Sequence, residues 1–482
     1  MDGYFDYLKV IDFLPELRGR IALVKSDFNV PLARGVSVSD DFRITQAAPF
    51  IQTLLKAEVV PLLATHLGRP NPPKKYSPTL DAILENISIA IGMPAEIIKF
   101  YPENETYKEL TQERIRDIFT SGKIPILDNI RFHQDEVENR GGLARILAGV
   151  VDISIQNSFG TAHRREDTSN YIHECIPGFA GDLLVQEIEA HRAIKKPNSP
   201  YVVIVGGDKV YDSLNLMRAI LRAVTTTHWS NLPDPGLNLR IGDYLVDYVI
   251  VGGHLMNAFI YAQLQMIDSP LLEKIEAGLR KDFRGLRDLR LDGYNIHDEE
   301  TKEEIRLAKG LLRLYNHYQF LDQRPLNGRR LVIPIDYMVK RTGATIPYVK
   351  LNELQDGDRI VDIGAETKKL YARVLKDAAT IVWNGPLGID DEKAGIMYTE
   401  GTRRIMDATD ANSAAIKEVG GGSTIYRLKE YENSSGRELN VGFRSTGGGS
   451  TLLEVAYDSP TTISLIMSSM KLLEGEYGPK YE

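Results

Sequence analysis

Short apolar runs alternate with amphipathic segments along almost the whole chain. The segments between the runs, such as 41–55 and 367–376, repeat apolar residues at three- and four-residue steps, which predicts helices. Continuous apolar runs of this length are typical of parallel strands that are covered on both faces. The runs are 21–24, 59–64, 124–127, 151–155, 201–205, 248–251, 331–335, 359–363, 380–383 and 415–419. The pattern predicts an α/β fold built from doubly wound, mainly parallel sheets.

The number of predicted strands is too large for one sheet, so two lobes are expected. A chain of 482 residues also exceeds the usual size of a single domain. Two prolines and several polar residues in 195–200 end the amphipathic segment 183–194, which is predicted to be a helix that joins the lobes. Two polar stretches near 225–242 and 269–329 are predicted to be surface insertions. The expected organisation is a first lobe over 1–182, a helix and linker over 183–198, a second lobe over 199–455 and a C-terminal segment over 456–482.

Composition restricts the classes of protein that remain. Hydrophobic residues make up 43% and charged residues 26%, as in an ordinary globular protein. A net charge of -8 argues against general binding of nucleic acids or of a membrane surface. No apolar run approaches 18 residues, and the start of the chain has no signal-peptide pattern, so a cytoplasmic location is expected. The single cysteine, Cys175, excludes an intramolecular disulfide and a cysteine-ligated zinc site.

Arginine and histidine follow the predicted strands of the first lobe. Arg69, Arg131 and Arg164 each come shortly after an apolar run, and the carboxyl ends of parallel strands share one edge of a sheet. Guanidinium groups bind carboxylates and phosphates through two parallel hydrogen bonds. The sequence therefore predicts a site for a small polyanion in the first lobe.

Glycine follows the predicted strands of the second lobe. These glycines include 206, 207, 252, 253, 364, 385, 388, 420, 421 and 422. Glycine allows backbone amides and helix N-termini to approach phosphate oxygens, which favours a nucleotide site. The chain has neither a P-loop motif nor a strand-placed G-x-G-x-x-G motif, so it is neither a P-loop ATPase nor a standard dinucleotide dehydrogenase. A basic lobe and a glycine-rich lobe together favour phosphoryl transfer between two separately bound ligands.

Eight motifs, in order along the chain, resemble the signatures of the phosphoglycerate kinase family. The resemblance extends from about residue 18 to residue 454. The motifs lie at 27–31, 66–70, 130–133 and 159–164 in the first lobe and at 206–210, 382–388, 419–422 and 445–449 in the second. The resemblance implies two Rossmann-like lobes joined by a hinge helix, and a phosphotransferase that uses a carboxyl group as acceptor. In that family the reaction interconverts 1,3-bisphosphoglycerate and ADP with 3-phosphoglycerate and ATP, a step of glycolysis and gluconeogenesis.

The resemblance also implies roles for individual residues. The residues implied to bind 3-phosphoglycerate are Asp27, Asn29, Arg43, His66, Arg69, Arg131 and Arg164. Those implied to act on the transferring group are Arg43, Lys209, Gly447 and Gly448, with Gly449 beside them. The implied nucleotide site contains Gly206, Gly207, Lys209, Gly252, Gly253, Asn384, Gly385, Pro386, Asp391, Gly420, Gly421, Gly422, Ser423 and Thr424. The implied protein is a monomer that uses Mg²⁺ together with ATP or ADP.

The second lobe departs from the family pattern at four positions. Ser213 replaces a second lysine, His254 a glycine, Ser423 an aspartate that helps to hold the metal, and Asp391 a glutamate that contacts the ribose. We therefore assign no metal ligand to a protein side chain and expect reduced activity. Two alternatives stay open from the sequence. One is a binding protein that retains the anion site for regulation or for a partner, and the other is a kinase of the same fold acting on another carboxylate.

Overall fold

The computed structural model describes residues 7–33, 37–70, 78–100, 110–195, 197–221, 246–266, 289–315, 331–391, 396–456 and 463–473. The chain divides into two compact units, one formed by 1–191 with 459–482 and the other by 192–458. The division falls inside a continuous helix, Asp182–Lys195, which was predicted as the connection. The predicted insertion at 225–242 lies outside the described residues.

The first unit is built on a six-stranded parallel sheet and a small two-stranded hairpin. Its strands are β1 (Ile21–Lys25), β2 (Leu32–Ala33), β3 (Ser37–Val38), β4 (Val60–Ala64), β5 (Ala95–Ile98), β6 (Ile124–Leu127), β7 (Ile153–Gln156) and β8 (Gly178–Ala180). The large sheet has the order β5-β6-β4-β1-β7-β8, and β2 pairs with β3. Strands β5 and β8 were not predicted, because neither contains a long apolar run.

Helices cover both faces of this sheet, as its continuous apolar strands require. They are α1 (Phe42–Lys56), α2 (Leu84–Ile91), α3 (Gln112–Thr120), α4 (Gln134–Glu138), α5 (Gly142–Ala148), α6 (Phe159–Ala162), α7 (Ile172–Cys175) and α8 (Asp182–Lys195). Alternate residues of β1 enter different cores: Val24 packs in the core with α1, and Leu23 packs in the core with α3 and α5. All five residues of β1 are buried.

The second unit contains another six-stranded parallel sheet. Its strands are β9 (Tyr201–Val205), β10 (Tyr248–Val251), β11 (Leu331–Val332), β12 (Tyr337–Arg341), β13 (Ala344–Val349), β14 (Arg359–Ile363), β15 (Thr380–Asn384), β16 (Asp390–Asp391), β17 (Ile396–Met397), β18 (Ile416–Gly420) and β19 (Phe443–Arg444). The large sheet has the order β11-β10-β9-β15-β18-β19. The direction of winding reverses between β9 and β15, and ligands of doubly wound sheets bind at such a point.

One strand prediction was wrong about the sheet to which the strand belongs. Strand β14 was expected in the parallel sheet, but it pairs antiparallel with β12 in a separate three-stranded sheet of order β13-β12-β14. Gly364, which follows β14, therefore does not belong to the glycine-rich edge of the large sheet. An apolar run indicates burial but does not reveal the neighbouring strand.

The helices of the second unit pack around these sheets. They are α9 (Val210–Ile220), α10 (Leu255–Met266), α11 (Glu299–Tyr315), α12 (Ala365–Lys376), α13 (Glu400–Ala411), α14 (Gly422–Ser435) and α15 (Gly449–Ala456). Helix α11 lies inside the stretch predicted as a surface insertion, yet it packs on α10 and buries Ile305, Ala308, Leu311 and Leu312. This part of the stretch is therefore a packed layer of the unit.

A last helix, α16 (Ile463–Leu473), belongs to the first unit although it follows the second in sequence. Ser468 Oγ accepts a hydrogen bond from the amide of Gly178 at 2.7 Å, and Ser469 Oγ accepts one from the amide of Leu8 at 3.0 Å. Ser464 Oγ donates to the carbonyl of Ser169 at 3.1 Å. These three serines join the helix to β8, to the chain before β1 and to the residues just before α7.

The two six-stranded parallel sheets confirm the predicted α/β fold with two doubly wound halves. None of the helices in the described part of the chain combines the length and the apolar composition that a membrane span requires.

Candidate functional site

Two loops and the start of α1 meet at the C-terminal edge of the first sheet. Arg43, in the first turn of α1, donates to the carbonyl oxygen of Asn29 at 2.9 Å. The same guanidinium nitrogen lies 3.2 Å from a carboxylate oxygen of Asp27. The side-chain oxygen of Asn29 accepts the amide hydrogen of Gly68 at 2.8 Å, so the loops after β1 and β4 are joined. Gly68 has a φ of +63°, a conformation that favours glycine.

Two arginines from different loops meet at one carboxylate. Arg131, after β6, donates to Oε1 of Glu166 at 2.7 Å and to the carbonyl of Gly68 at 3.2 Å. Arg164, after β7, lies 3.5 Å from the same carboxylate oxygen. Burial opposes the charge on Glu166, but Lys25, Arg131 and Arg164 outweigh that effect and lower its pKa to about 2. Glu166 is therefore charged at neutral pH.

His66 lies among these cations. Its side chain is buried, and burial followed by the charges of Arg131, Lys25, Arg164 and Arg43 lowers its pKa well below the usual range. The imidazole is therefore neutral at pH 7, so one of its nitrogens can donate a hydrogen bond and the other can accept one. Among the described residues, His66 Nδ1, Arg43 Nε and Arg131 Nε are buried without a hydrogen-bond partner. Buried polar atoms without partners are rare in proteins, so this group has the character of a ligand site.

The loops around the cations are held by two residues that the sequence analysis did not select. Asn129 donates to the carbonyls of Leu67 and Pro78 and accepts the amide hydrogen of Leu67. Asp128 accepts the amide hydrogen of Leu80 at 3.0 Å. Both side chains are buried, so they fix the course of the loop that carries His66.

A buried lysine network lies next to the arginines and was also not predicted. Lys25, at the end of β1, donates to Glu136 at 2.7 Å and to Thr168 at 2.6 Å, and lies 3.4 Å from Glu166. The side chains of Lys25 and Glu136 are fully buried. Burial raises the pKa of Glu136, against the opposing influence of Lys25. In the sequence, Lys25 stands directly after an apolar run.

The structure brings most of the predicted anion-binding residues into one place. The residues that meet are Asp27, Asn29, Arg43, His66, Arg131 and Arg164. Arg69 is exposed, follows Gly68 directly, and is not among the cations that shift the pKa of His66. Its participation stays a prediction.

At the edge of the second sheet, the loops after β9 and β15 cross with their backbones in contact. The amide of Gly206 donates to the carbonyl of Asn384 at 2.9 Å, and that of Gly207 donates to the carbonyl of Pro386 at 2.9 Å. A side chain on Gly206 would overlap the carbonyl of Pro386, and one on Gly385 would overlap the backbone of Gly206. These glycines therefore permit a close crossing at the point where the sheet reverses its winding.

The loop after β10 is interlocked with the same crossing. The amide of Gly253 donates to the carbonyl of Leu387 at 2.8 Å, and the amide of His254 donates to the carbonyl of Gly207 at 3.0 Å. A side chain on Gly252 would overlap Leu387. His254 is half-buried at the start of α10, next to these loops.

Two further glycine loops meet beside Asn384. The amide of Gly421 donates to the carbonyl of Gly447 at 2.5 Å, and Thr424 Oγ1 accepts the amide hydrogen of Gly385 at 2.8 Å. Gly448 lies close to Gly421 and to Asn384, since a side chain there would stand 3.7 Å from one and 3.8 Å from the other. Many of the glycine amides at this edge are thus bonded within the protein.

Two helix N-termini also lie at this edge. Helix α14 begins at Gly422, after Gly420 ends β18, and α15 begins at Gly449. The first-turn amides of a helix have no acceptor within the helix, and the helix dipole makes this end positive. Because Gly421 is bonded to Gly447, the N-termini of α14 and α15 lie side by side. This arrangement suits phosphate groups.

The positions that depart from the family pattern differ in their surroundings. Lys209 is exposed at the residue before α9, and Ser213, one turn later, is buried with its amide bonded to the carbonyl of Lys209 at 3.0 Å. Ser423 is exposed in the first turn of α14. The side chain of Asp391 lies outside what the structure describes, although its backbone forms β16.

The side chain of Ser423 is a poor ligand for a protein-held magnesium ion. Mg²⁺ prefers carboxylate and phosphate oxygens, and Ser423 offers only a hydroxyl. Within the described residues no group of three or more histidine, cysteine, aspartate or glutamate side chains could hold a metal ion.

Clustered cations at the strand ends of one parallel sheet, together with converging helix N-termini at the strand ends of another, define an α/β phosphotransferase. The phosphoglycerate kinase family model matches residues 11–228 and 243–455. The chain therefore belongs to the phosphoglycerate kinase family, and the resemblance seen in its motifs is confirmed.

Individual relatives agree with this assignment along most of the chain. A phosphoglycerate kinase of Moorella thermoacetica is 29% identical over 441 residues, which cover 91% of this chain and 93% of the relative. That of Rubrobacter xylanophilus is 30% identical over 443 residues, with coverage of 91% and 93%. The crystal structure of phosphoglycerate kinase from Pyrococcus horikoshii OT3 matches with a TM-score of 0.68 at 24% identity, covering 96% of this chain and 100% of that structure. The structural match supports the fold.

Proposed function

We propose that the protein is a phosphoglycerate kinase that transfers a phosphoryl group reversibly between ATP and the carboxylate of 3-phosphoglycerate. The observation that carries the proposal is the cluster of cations around the neutral, buried His66. A doubly charged phosphate and a carboxylate would satisfy the buried nitrogens of Arg43, Arg131 and His66 that have no partner among the described residues. The family membership and the glycine-rich edge of the second sheet support the same reaction.

In the direction of ATP use, a carboxylate oxygen of 3-phosphoglycerate attacks the γ-phosphorus. The bond between that phosphorus and the bridging oxygen to the β-phosphate breaks, ADP leaves and the acyl phosphate forms. No general base is required because the attacking carboxylate is already ionised. The protein contributes orientation and charge. We assign orientation of the glycerate ligand to Asp27, Asn29 and the arginines of the first unit, and stabilisation of the transferring group to Arg43, Lys209 and the glycines at 447 and 448.

The nucleotide assignment is part of this proposal. In it, the N-termini of α14 and α15 and Lys209 bind the phosphates of ATP or ADP, and magnesium enters with the nucleotide. Ser423 and Ser213 are expected to weaken this binding, because Ser423 replaces a carboxylate and Ser213 replaces a lysine. We further propose that the units close on each other when both ligands are bound. A monomeric state, a cytoplasmic location and a place in glycolysis remain predictions.

The alternative of a binding protein without activity is less favoured, because the match to named phosphoglycerate kinases extends through both units. Two measurements distinguish the kinase from the binding protein. The protein is titrated calorimetrically with 3-phosphoglycerate and, separately, with magnesium ADP, and turnover is then assayed. The proposal expects binding of both ligands and measurable formation of ATP from 1,3-bisphosphoglycerate and ADP. Binding of 3-phosphoglycerate without any turnover at saturating substrate would favour the alternative. Small-angle scattering should show a radius of gyration that falls when both ligands are added and changes less with either ligand alone.

A further inference from the structure

A single carboxylate joins the buried lysine network to the arginines of the anion site. One oxygen of Glu166 lies 3.4 Å from Nζ of Lys25, and the other lies 2.7 Å from Arg131 and 3.5 Å from Arg164. Glu166 is nearly inaccessible, with a side chain 6% exposed, whereas that of Arg164 is 35% exposed. The carboxylate therefore lies beneath the two guanidinium groups, on the side away from solvent.

The inner side of this carboxylate is held rigidly. Lys25 is shared between Glu166 and Glu136, and Thr168 bonds to both Lys25 and Glu136. The amide of Thr168, two residues beyond Glu166, donates to the second oxygen of Glu136 at 2.9 Å. All four side chains of this network are buried, so the backbone that carries Glu166 and the ammonium that faces it are both fixed.

The outer side of the carboxylate faces groups that would bind a ligand. Arg131 uses one nitrogen for Glu166 and another for the carbonyl of Gly68, which leaves its buried Nε without a partner among the described residues. A guanidinium held at two of its nitrogens has a defined plane and can present the rest of its fork to an anion. Arg164 is held less tightly, at 3.5 Å.

We propose that Glu166 is a positioning residue of the anion site, which orients Arg131 and Arg164 and offsets part of their positive charge. This proposal rests on the proposed function, because the ligand concerned is 3-phosphoglycerate. The carboxylate has two opposing effects on that ligand. It repels the anion and so weakens ground-state binding, but it holds the guanidiniums in the geometry that transfer requires.

The two effects predict opposite changes in affinity and turnover. In Glu166→Gln the repulsion disappears and the side chain keeps nearly the same shape, while Lys25 retains Glu136 as its partner. We expect 3-phosphoglycerate to bind about threefold to tenfold more tightly and kcat to fall about tenfold, because the arginines lose their charged anchor. The gain in affinity should shrink as ionic strength rises.

Glu136→Gln is the matched control. It replaces a carboxyl group of the same buried network by an amide, but the bonds of Glu136 run to Lys25 and Thr168 instead of to the arginines. Glu136→Gln should lower the melting temperature about as much as Glu166→Gln does. Its affinity for 3-phosphoglycerate and its kcat should change much less than those of Glu166→Gln. Glu166→Asp is a second variant, which keeps the charge on a shorter side chain. It should lower kcat without tightening the binding.

The experiment is calorimetric titration of the full chain with 3-phosphoglycerate, together with kcat, KM and the melting temperature of each variant. Tighter binding with slower turnover in Glu166→Gln alone supports the positioning role. Unchanged or weaker binding in Glu166→Gln, or equal effects in both glutamine variants, overturns it and leaves Glu166 as a purely structural residue. If the unmodified chain does not bind 3-phosphoglycerate, the proposed function fails instead, so the two failures are distinguishable.

Discussion

Arg131 and Glu166 form an ion pair of 2.7 Å between the segment after β6 and the loop after α6, at the centre of the cation cluster. Arg131 is 13% exposed, so the guanidinium is largely shielded from water while it still borders the proposed ligand site. Interactions of a shielded arginine with an anion are stronger than those at an open surface.

Replacement of this arginine tests the anion site directly. Arg131→Ala should weaken binding of 3-phosphoglycerate by about 2 kcal/mol, or about 30-fold in Kd, because a charge-assisted hydrogen bond is lost. Titration calorimetry of the variant measures the change. The control is Arg18→Ala, since Arg18 is 68% exposed and pairs with Glu58 on the surface. Equal affinities of Arg131→Ala and the control would remove Arg131 from the site.

Lys209 is expected to be important for turnover. It is exposed at the start of α9, and the family's second lysine is absent at Ser213, so Lys209 should supply more of the charge that stabilises the transferring group. Lys209→Ala should reduce kcat on the order of 10²–10³-fold. Lys369→Ala is the control, because Lys369 is an exposed partner of Glu366 on α12. A Lys209→Ala variant with full activity would contradict this role.

The crossing of the loops after β9 and β15 should not tolerate a side chain. In Gly206→Ala the new methyl group would overlap the backbone of Pro386, and backbone cannot move aside cheaply. We expect a loss of more than about 2 kcal/mol in the free energy of unfolding, measured by urea denaturation, and weaker nucleotide binding. Gly310→Ala, inside α11 with open space around it, should instead stabilise the protein by up to about 1 kcal/mol. If both variants are equally stable, the close crossing is not structurally required.

A buried carboxyl in the second unit predicts a dependence of stability on pH. Asp362 accepts amide hydrogens from Ile363 and Gly401, yet burial raises its pKa to about 7. In the unfolded chain its pKa is about 3.9. Between about pH 3.9 and pH 7 the folded protein therefore keeps a proton that the unfolded chain has released, and the folded state loses stability as pH rises. Between pH 5 and pH 8 this group should lower the free energy of unfolding by about 2.5 kcal/mol.

Asp362→Asn should remove that part of the pH dependence, because an amide does not ionise. Urea denaturation of both proteins at pH 5 and pH 8 gives the comparison. The variant should have a lower free energy of unfolding than the original protein at pH 5. This difference should become smaller at pH 8. Parallel curves for the two proteins would show that Asp362 is ionised throughout this range.

The sequence was a good guide to the strands that lie deep in each sheet. Runs such as Ile21–Lys25 and Tyr201–Val205 are buried along their whole length, and such burial requires apolar side chains whatever the neighbours are. Strand β5 was missed because it is only half-buried at an edge and contains Glu96. Strand β19 was missed because it has two residues. The predicted sheet of β14 was wrong because strand pairing depends on contacts between residues that are distant in the sequence.

In the anion site, too, residues placed by a local pattern could be predicted, whereas residues placed by distant contacts could not. Arginines that directly follow strands could be assigned to one edge of the sheet, because parallel strands place their carboxyl ends together. Glu166 and Glu136 could not be assigned, because their partner Lys25 is 141 and 111 residues away in the sequence. A glutamate in a loop has the same local pattern whether it is solvated or buried beside a lysine.

The position of α16 has a consequence for synthesis on the ribosome. The amide of Gly178, on the last strand of the first sheet, is bonded to a serine that lies 290 residues later in the chain. At roughly 5–20 residues per second, that serine is made about 15–60 s after the strand it binds. During this interval the nascent first unit has its six strands but lacks the helix that covers one edge of them. A chaperone that binds nascent chains would therefore find this edge without its covering helix until α16 has been made.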